Sequence, residues 1–164
     1  MDAIETIIAA LCALLLGTLA EYFIHRAMHW GIIYPEGHRW HHKSNESRTF
    51  FLDVLDYGAG AAIFCWVGFM VSIPAGIGWA AGAFAYVALS SYAHQLQHAR
   101  PALVFWMPRP VHALHHAHNM TEHNFGVLVD WWDRLLGTYR PVGQLRRRSR
   151  KGQRLKDYMA IPWF

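Results

Sequence analysis

Residues 57–99 read YGAGAAIFCWVGFMVSIPAGIGWAAGAFAYVALSSYAHQLQHA, with no Asp, Glu, Lys or Arg among them. A surface helix needs a polar face, so an uncharged run of this length belongs in a bilayer. A second such gap lies between Glu5 and Glu21. Charged residues are 16% of the 164-residue chain, below the roughly 25% of soluble domains, and hydrophobic residues are 54%. The length allows one domain, covering residues 1–164.

Working outward, the apolar stretches divide into three spans at about 6–24, 55–73 and 77–92, each near the ~20 residues that cross a bilayer. Pro74-Ala75-Gly76 predicts a compact break that makes the last two spans a tight hairpin. The expected fold is all-α and integral to the membrane: three transmembrane helices carrying a His-rich helical cap on the cytoplasmic side. Gly78 and Gly82 form a GxxxG that allows close helix contact, expected within the chain. Cys12 and Cys65 sit in apolar runs without any CxxC, which excludes a disulfide framework or zinc ribbon. Asp2 and Glu5 stand where a signal peptide would be basic, so the first run is expected to stay as an anchor.

Charge sets the expected orientation. With three spans, the N-terminus and the hairpin turn share a side that has no Lys or Arg, and all fifteen basic residues fall in 26–48 and 100–156. The positive-inside rule puts those segments, and the C-terminus, in the cytoplasm. Eight of the fifteen lie between Arg140 and Lys156, around RRRSRK, in a tail at 140–164 suited to anionic membrane lipids. No nucleic-acid motif accompanies that tail, so nucleic acid is not an expected partner.

Five of twelve histidines lie in residues 25–42 and seven in 94–123, so this topology brings both groups to one face. Four motifs hold ten of them: HRAMH (25–29), HRWHH (38–42), HQLQH (94–98) and HALHH (112–116). His25 and His29, like His94 and His98, are i and i+4 and share a helix face. The triplets His38, His41, His42 and His112, His115, His116 are i, i+3, i+4 and do the same. Pro110 suits the start of a helix carrying the second triplet. Imidazole suits Fe, Zn, Cu and Ni, and two metals of four or five ligands need about ten donors. One HxxxH pair alone would carry little weight, but four spaced motifs on one side point to a two-metal site. His118 and His123 fall outside the pattern. Glu21, i−4 to His25, is the natural carboxylate to orient an imidazole. Asp53, Asp56, Glu122, Asp130 and Asp133 share its side without a ranking. No ExxH or HExxH is present, which argues against soluble di-iron proteins and zinc proteases.

On these residues the chain resembles the fatty acid hydroxylase/sterol desaturase superfamily. The likeness runs from EYFIHRAMH through HRWHH, HQLQH and HALHH to NFGVLVDWWDRLLGTY. It implies a di-iron centre ligated by His25, His29, His38, His41, His42, His94, His98, His112, His115 and His116, with zinc a possible substitute in purified protein. It also implies that O2 and two external electrons hydroxylate or desaturate an unactivated C–H bond of a lipid from the bilayer, such as a fatty acyl chain or sterol. Electrons would come from a ferredoxin or a cytochrome b5 type carrier, because no flavin or nicotinamide fingerprint is present. Three spans are fewer than the four common in that family. The compact layout is also similar to bacterial carotenoid ring hydroxylases, whereas WWDRLLGTY fits the fatty acid and sterol branch better.

A non-enzymatic membrane metal-binding or transport protein is the alternative of a different class. It would place ligands near the bilayer midplane, and a b-type cytochrome would hold its His pairs inside the spans. Residues 102–107, ALVFWM between Pro101 and Pro108, are expected at the interface, with Phe105 and Trp106 as candidate lining for lipid entry. A reporter fused after Phe164 should read as cytoplasmic and one in the turn between the second and third spans as exterior. Finding both on one side would separate the histidine clusters.

Overall fold

The computed structural model describes residues 2–142 and 153–164. Every regular element among them is helical, and three segments are long and apolar enough to cross a membrane: Asp2–His29, Phe50–Met70 and Ile73–Ala99. The first is α1 (Asp2–His29), a single helix that extends beyond the apolar run at both ends. Hydropathy marks only the lipid-facing middle. Asp2 and Glu5 suit the positive end of the helix dipole, and Arg26 and His29 suit the negative end. After α2 (Pro35–Ser44) the chain re-enters as α3 (Phe50–Ala62), capped by Thr49, whose Oγ1 accepts from the Leu52 amide at 3.4 Å.

The second span differs from a plain helix. Past Ala62 it becomes turns and a short 3-10 segment, Val67–Met70. Carbonyls freed by the end of the helix need donors inside a bilayer. Two indoles supply them: Trp66 donates to the Ile63 carbonyl at 2.7 Å and Trp79 to the Phe64 carbonyl at 2.9 Å. The reversal then falls at Val71 and Ser72 and not at Pro74–Gly76. Ser72 caps α4 (Ile73–Ala99), its Oγ accepting from the Ala75 amide at 3.1 Å. Pro74 sits in the first turn of α4, where a missing N–H costs nothing.

α1 and α4 run parallel and form the spine of the molecule. A Cβ on Gly78 would strike the Thr6 carbonyl, and one on Gly82 the Ala10 carbonyl, so the GxxxG serves contact within the chain. Gly17 in turn lets the Tyr86 ring lie against α1. Because the helices are parallel, the ends bearing His25–His29 and His94–His98 reach the same level. The remaining elements, α5 (Val111–Ala117), α6 (Trp131–Leu135) and α7 (Leu155–Tyr158), gather at that end. Leu96, Leu103, Val104, Met107, Val111 and Ile161 pack there into an apolar core. Residues 153–164 are docked on it: Tyr92 donates to the Tyr158 carbonyl at 3.0 Å, and the Phe50 amide to the Pro162 carbonyl at 2.7 Å. The RRRSRK run lies outside the described residues.

Gly82→Leu should therefore destabilise the protein by about 1–3 kcal/mol, the cost of overpacking a tight contact. Gly60→Ala, where an added Cβ meets nothing within 4 Å, should change little. Thermal unfolding of both variants in detergent checks this, and equal melting temperatures would contradict the α1–α4 contact.

Candidate metal centre

Four helices deliver the ten imidazoles. α1 ends with His25 and His29, α4 with His94 and His98, while α2 carries the first triplet and α5 the second. One group is His25, His29, His38, His42 and His115; a second is His41, His98, His112 and His116. Within each, the ligand atoms lie within 4.8 Å of one another. His94 adjoins the second group, its Nε2 3.2 Å from Nε2 of His41. Both triplets serve both groups, so α2 and α5 bridge the two halves.

Hydrogen bonds decide which nitrogen of each ring faces inward. A carbonyl can only accept, so the Nδ1 opposite it carries the proton. Nδ1 of His25 donates to the Phe125 carbonyl at 2.7 Å, that of His115 to the His123 carbonyl at 2.7 Å, and that of His41 to the Glu46 carbonyl at 2.9 Å. His94 donates from Nδ1 to Asp53 Oδ2 at 2.6 Å. In the neutral form of these rings Nε2 is then a bare lone pair. His41 and His94 bring two such lone pairs to 3.2 Å. Nε2 of His115 lies 2.9 Å from both His29 Nε2 and His42 Nε2, and His38 Nε2 lies 2.9 Å from His29 Nε2. One proton cannot satisfy all of these approaches. Nε2 of His25 and both ring nitrogens of His116 are buried without a hydrogen-bond partner among the described residues. Buried lone pairs facing one another are unfavourable unless a cation sits among them, and a nitrogen-rich set of this kind fits a first-row transition metal.

The carboxylates separate once the helices are in place. Asp53, on α3, is buried and accepts from His94 and, at 2.6 Å, from Gln95 Nε2. Glu21 does not bond His25. Its Oε1 accepts from the Val127 and Leu128 amides at 2.8 and 3.2 Å, holding the strand of chain whose Phe125 carbonyl orients His25. Asp133 fixes the same loop, accepting from the Phe125 and Gly126 amides, both at 2.8 Å. Asp56 pairs with Arg48 and Asp130 with Arg134, while Glu122 is exposed. The glutamines of HQLQH were not assigned a role from sequence. Gln97 accepts from the amides of His112 and Ala113 at 3.0 and 3.2 Å, seating α5, and Gln95 accepts from Ser47 at 2.8 Å. Full burial of two amides at the end of an apolar helix was the available signal. The His118 side chain is exposed, and His123 contributes its main-chain carbonyl.

A cavity of about 640 Å3 reaches the histidines: His25, His38, His41 and His94 line it, with Tyr34, Trp40, Arg48 and Asp56 beside them. Its walls are apolar residues of α1, α3 and α4, among them Leu16, Phe64, Trp79 and Ala83. α1 and α3 each pack on α4 but scarcely on each other, and the cavity occupies the gap between them. Phe105 and Trp106 are not in the lining, which corrects the entry expected at 102–107. Trp106 is tied to the Leu128 carbonyl at 2.8 Å, and Phe105 lies largely exposed on the outside of the bundle.

The family model for fatty acid hydroxylase matches residues 10–138, which hold all ten histidines. The chain belongs to that family. Comparisons with curated proteins and with solved structures found no match. Membership in the fatty acid hydroxylase family places the chain among membrane oxidoreductases, and its two histidine groups could hold metal ions.

Burial favours the neutral form of the imidazoles on α2 and α5. It lowers His41 and His42 to about 4, and it moves His38, His112, His115 and His116 further down, with repulsion from neighbouring histidines adding to the effect. An unfolded histidine titrates near 6.5. Between that value and about 4 the unfolded chain holds more protons than the folded one. Stability is therefore complete above about pH 6.5 and falls as the pH drops toward 4. Melting temperatures of the metal-free protein across that window should decline with acidity. A flat profile would mean that the rings are not buried in the neutral form.

Proposed function

We propose that this member of the fatty acid hydroxylase family is a di-iron oxygenase that hydroxylates or desaturates a lipid C–H bond. What carries the proposal is the meeting of ten imidazoles from two sequence-remote clusters beside a largely apolar cavity between the spans. His25, His29, His38, His42 and His115 would hold one iron, and His41, His94, His98, His112 and His116 the other. Bound iron supplies the redox chemistry, by which O2, two electrons and two protons convert a C–H bond to an alcohol with release of water. The residues of the chain do the rest. Asp53, Phe125, His123 and Glu46 aim the ring nitrogens, and the walls of α1, α3 and α4 exclude water and align the substrate.

The substrate's alkyl portion would lie along the cavity with its tail toward Trp79. From Trp79 to His94 is fifteen residues of α4, about 22 Å at helical rise. An extended chain advances about 1.2 Å per backbone bond, so about 18 carbons fit between the metal-binding end and the Trp79 floor. Electrons would arrive from a ferredoxin or cytochrome b5 type carrier on the histidine side. That side would be the cytoplasmic one by the positive-inside rule, since all fifteen Lys and Arg fall in 26–48 and 100–156 of the sequence, and the basic tail would hold anionic lipid beside it.

Expression in a lipid-producing host, followed by mass spectrometry of total lipids, should show a lipid gaining one oxygen or losing two hydrogens. The product should need air and vanish in His115→Ala. Trp79→Ala should move the product toward longer chains with metal content unchanged. An unaltered lipid profile with metal-replete protein and a supplied reductant would refute the proposal.

A further inference from the structure

Directly after His29 the chain reads WGIIY (30–34), an apolar segment at the histidine end that takes no part in the metal centre. Trp30, Ile32, Ile33 and Tyr34 are all exposed, Ile32 at 70% and Tyr34 at 68%. Large apolar side chains turned outward in one patch mark an interaction surface. Gly31 has φ +78°, which glycine adopts without strain, and with it α1 closes in a Schellman turn. The Gly31 amide donates to the Met28 carbonyl at 3.2 Å and the Ile32 amide to the Ala27 carbonyl at 2.9 Å. These bonds form a hook that keeps Ile32 against the last turn of α1 instead of letting the chain run on into water. Ala27 is three residues, about 4.5 Å of helical rise, past Ile24. Phe23 and Ile24 are themselves exposed on the membrane-spanning helix. The apolar surface of the hook therefore continues the exposed apolar surface of the span.

The charges around the hook are those that a headgroup layer accommodates. Between Glu21 and Glu46 the sequence holds Arg26, Arg39 and Lys43 against one carboxylate, Glu36. The Arg26 guanidinium lies over the Trp30 ring, 4.8 Å from its centroid. Arg39 and Lys43 are exposed, one turn apart on α2. An apolar tip bounded by aromatic rings and flanked by cations is the pattern of segments that lie in a membrane interface.

The hook also reaches the cavity. Tyr34 lines it, together with Ile24 and Met28 of α1 and Trp40 of α2. Tyr34 holds φ 41°, in the left-handed region that is costly for an aromatic residue. Its ring lies over Gly37, where any Cβ would strike it. A side chain so held, mostly exposed and yet on the cavity wall, stands where the cavity meets the outside.

We propose that residues 30–34 are a membrane-inserted lip: Ile32 and Ile33 sit among the acyl chains of the leaflet on the histidine side, and lipid passes from that leaflet into the cavity beside Tyr34. The insertion rests on the membrane spans alone, and the passage of lipid rests on the lipid-oxidation reading above. Entry then lies between α1 and α2, in place of the 102–107 segment.

A depth measurement tests the insertion without turnover. In the whole chain with Cys12 and Cys65 replaced by Ser, a nitroxide is attached at Ile32→Cys, at Leu11→Cys in the first span, or at Glu122→Cys. Each protein is placed in nanodiscs of phosphatidylcholine and phosphatidylglycerol. Electron paramagnetic resonance reads collisions with oxygen, which concentrates in the bilayer, and with a water-soluble nickel chelate. The Ile32 label should resemble the Leu11 label, with an oxygen-to-nickel ratio severalfold above that at Glu122. A ratio equal to that at Glu122, or a label shielded from both reagents by a covering protein, would overturn the lip. Passage is read with octadecanoic acid carrying a photoreactive diazirine at its chain end, delivered from vesicles by rapid mixing and mapped by mass spectrometry. Adducts on Glu21 or Tyr86, both buried on the cavity wall, should accumulate severalfold more slowly in the double variant Ile32→Asp, Ile33→Asp. They should form at the native rate in Ile32→Leu, Ile33→Leu, with melting temperatures unchanged in both. An unslowed rate in the aspartate variant would overturn entry at the lip. An inserted lip in a protein that oxidises no lipid would leave the insertion standing and remove the oxygenase reading.

Discussion

Committing the Nδ1 proton of an imidazole outward leaves a lone pair on Nε2, and here several such lone pairs are turned toward one another. His41 and His94 face at 3.2 Å, and as neutral rings neither can donate. Several other features at this end of the molecule either enforce that arrangement or depend on it. The carbonyls of Phe125, His123 and Glu46 and the Asp53 carboxylate hold the protons outward. Glu21, Asp133 and Gln97 hold the segments that carry those acceptors or the histidines themselves. Much of the polar chemistry in this otherwise apolar chain is spent on aiming nitrogen.

The spine beneath follows from the same need. Metal-ligand geometry tolerates displacements of a few tenths of an ångström, so α1 and α4 must end in register. Gly78 and Gly82 achieve this by letting the α1 backbone lie directly on α4, where any side chain would force the helices apart. α3 has no such constraint. It stands off α1, and the space left between them is the cavity. A closely packed pair of helices and a third that stands off give an end where the histidines meet and an apolar cavity beside it in the same small bundle.

The histidines were legible in sequence because helical spacing and membrane topology are both short-range patterns. Each HxxxH or HxxHH fell on a helix, and the charge gaps located three spans. Span ends were not legible: hydropathy cannot see that Pro74 begins a helix, or that residues after Ala62 leave α-helical geometry once Trp66 and Trp79 take the freed carbonyls. Asp53 could not be ranked above Asp56, since only the docking of α3 on α4 puts one against His94 and sends the other to Arg48. Glu21 had the right spacing for His25 and yet works through Val127, a contact across 106 positions that no local pattern encodes. Phe105 and Trp106 looked like a lining for want of any sign that Trp106 is tied to Leu128.

The most direct test of the two-metal account is iron quantitation joined to X-ray absorption at the iron edge on protein reconstituted with ferrous iron. The account predicts about two irons per chain, each in a shell dominated by imidazole nitrogen, with the count falling in His41→Ala and unchanged in His118→Ala. A single iron per chain, or a shell of sulfur or carboxylate oxygen, would contradict it.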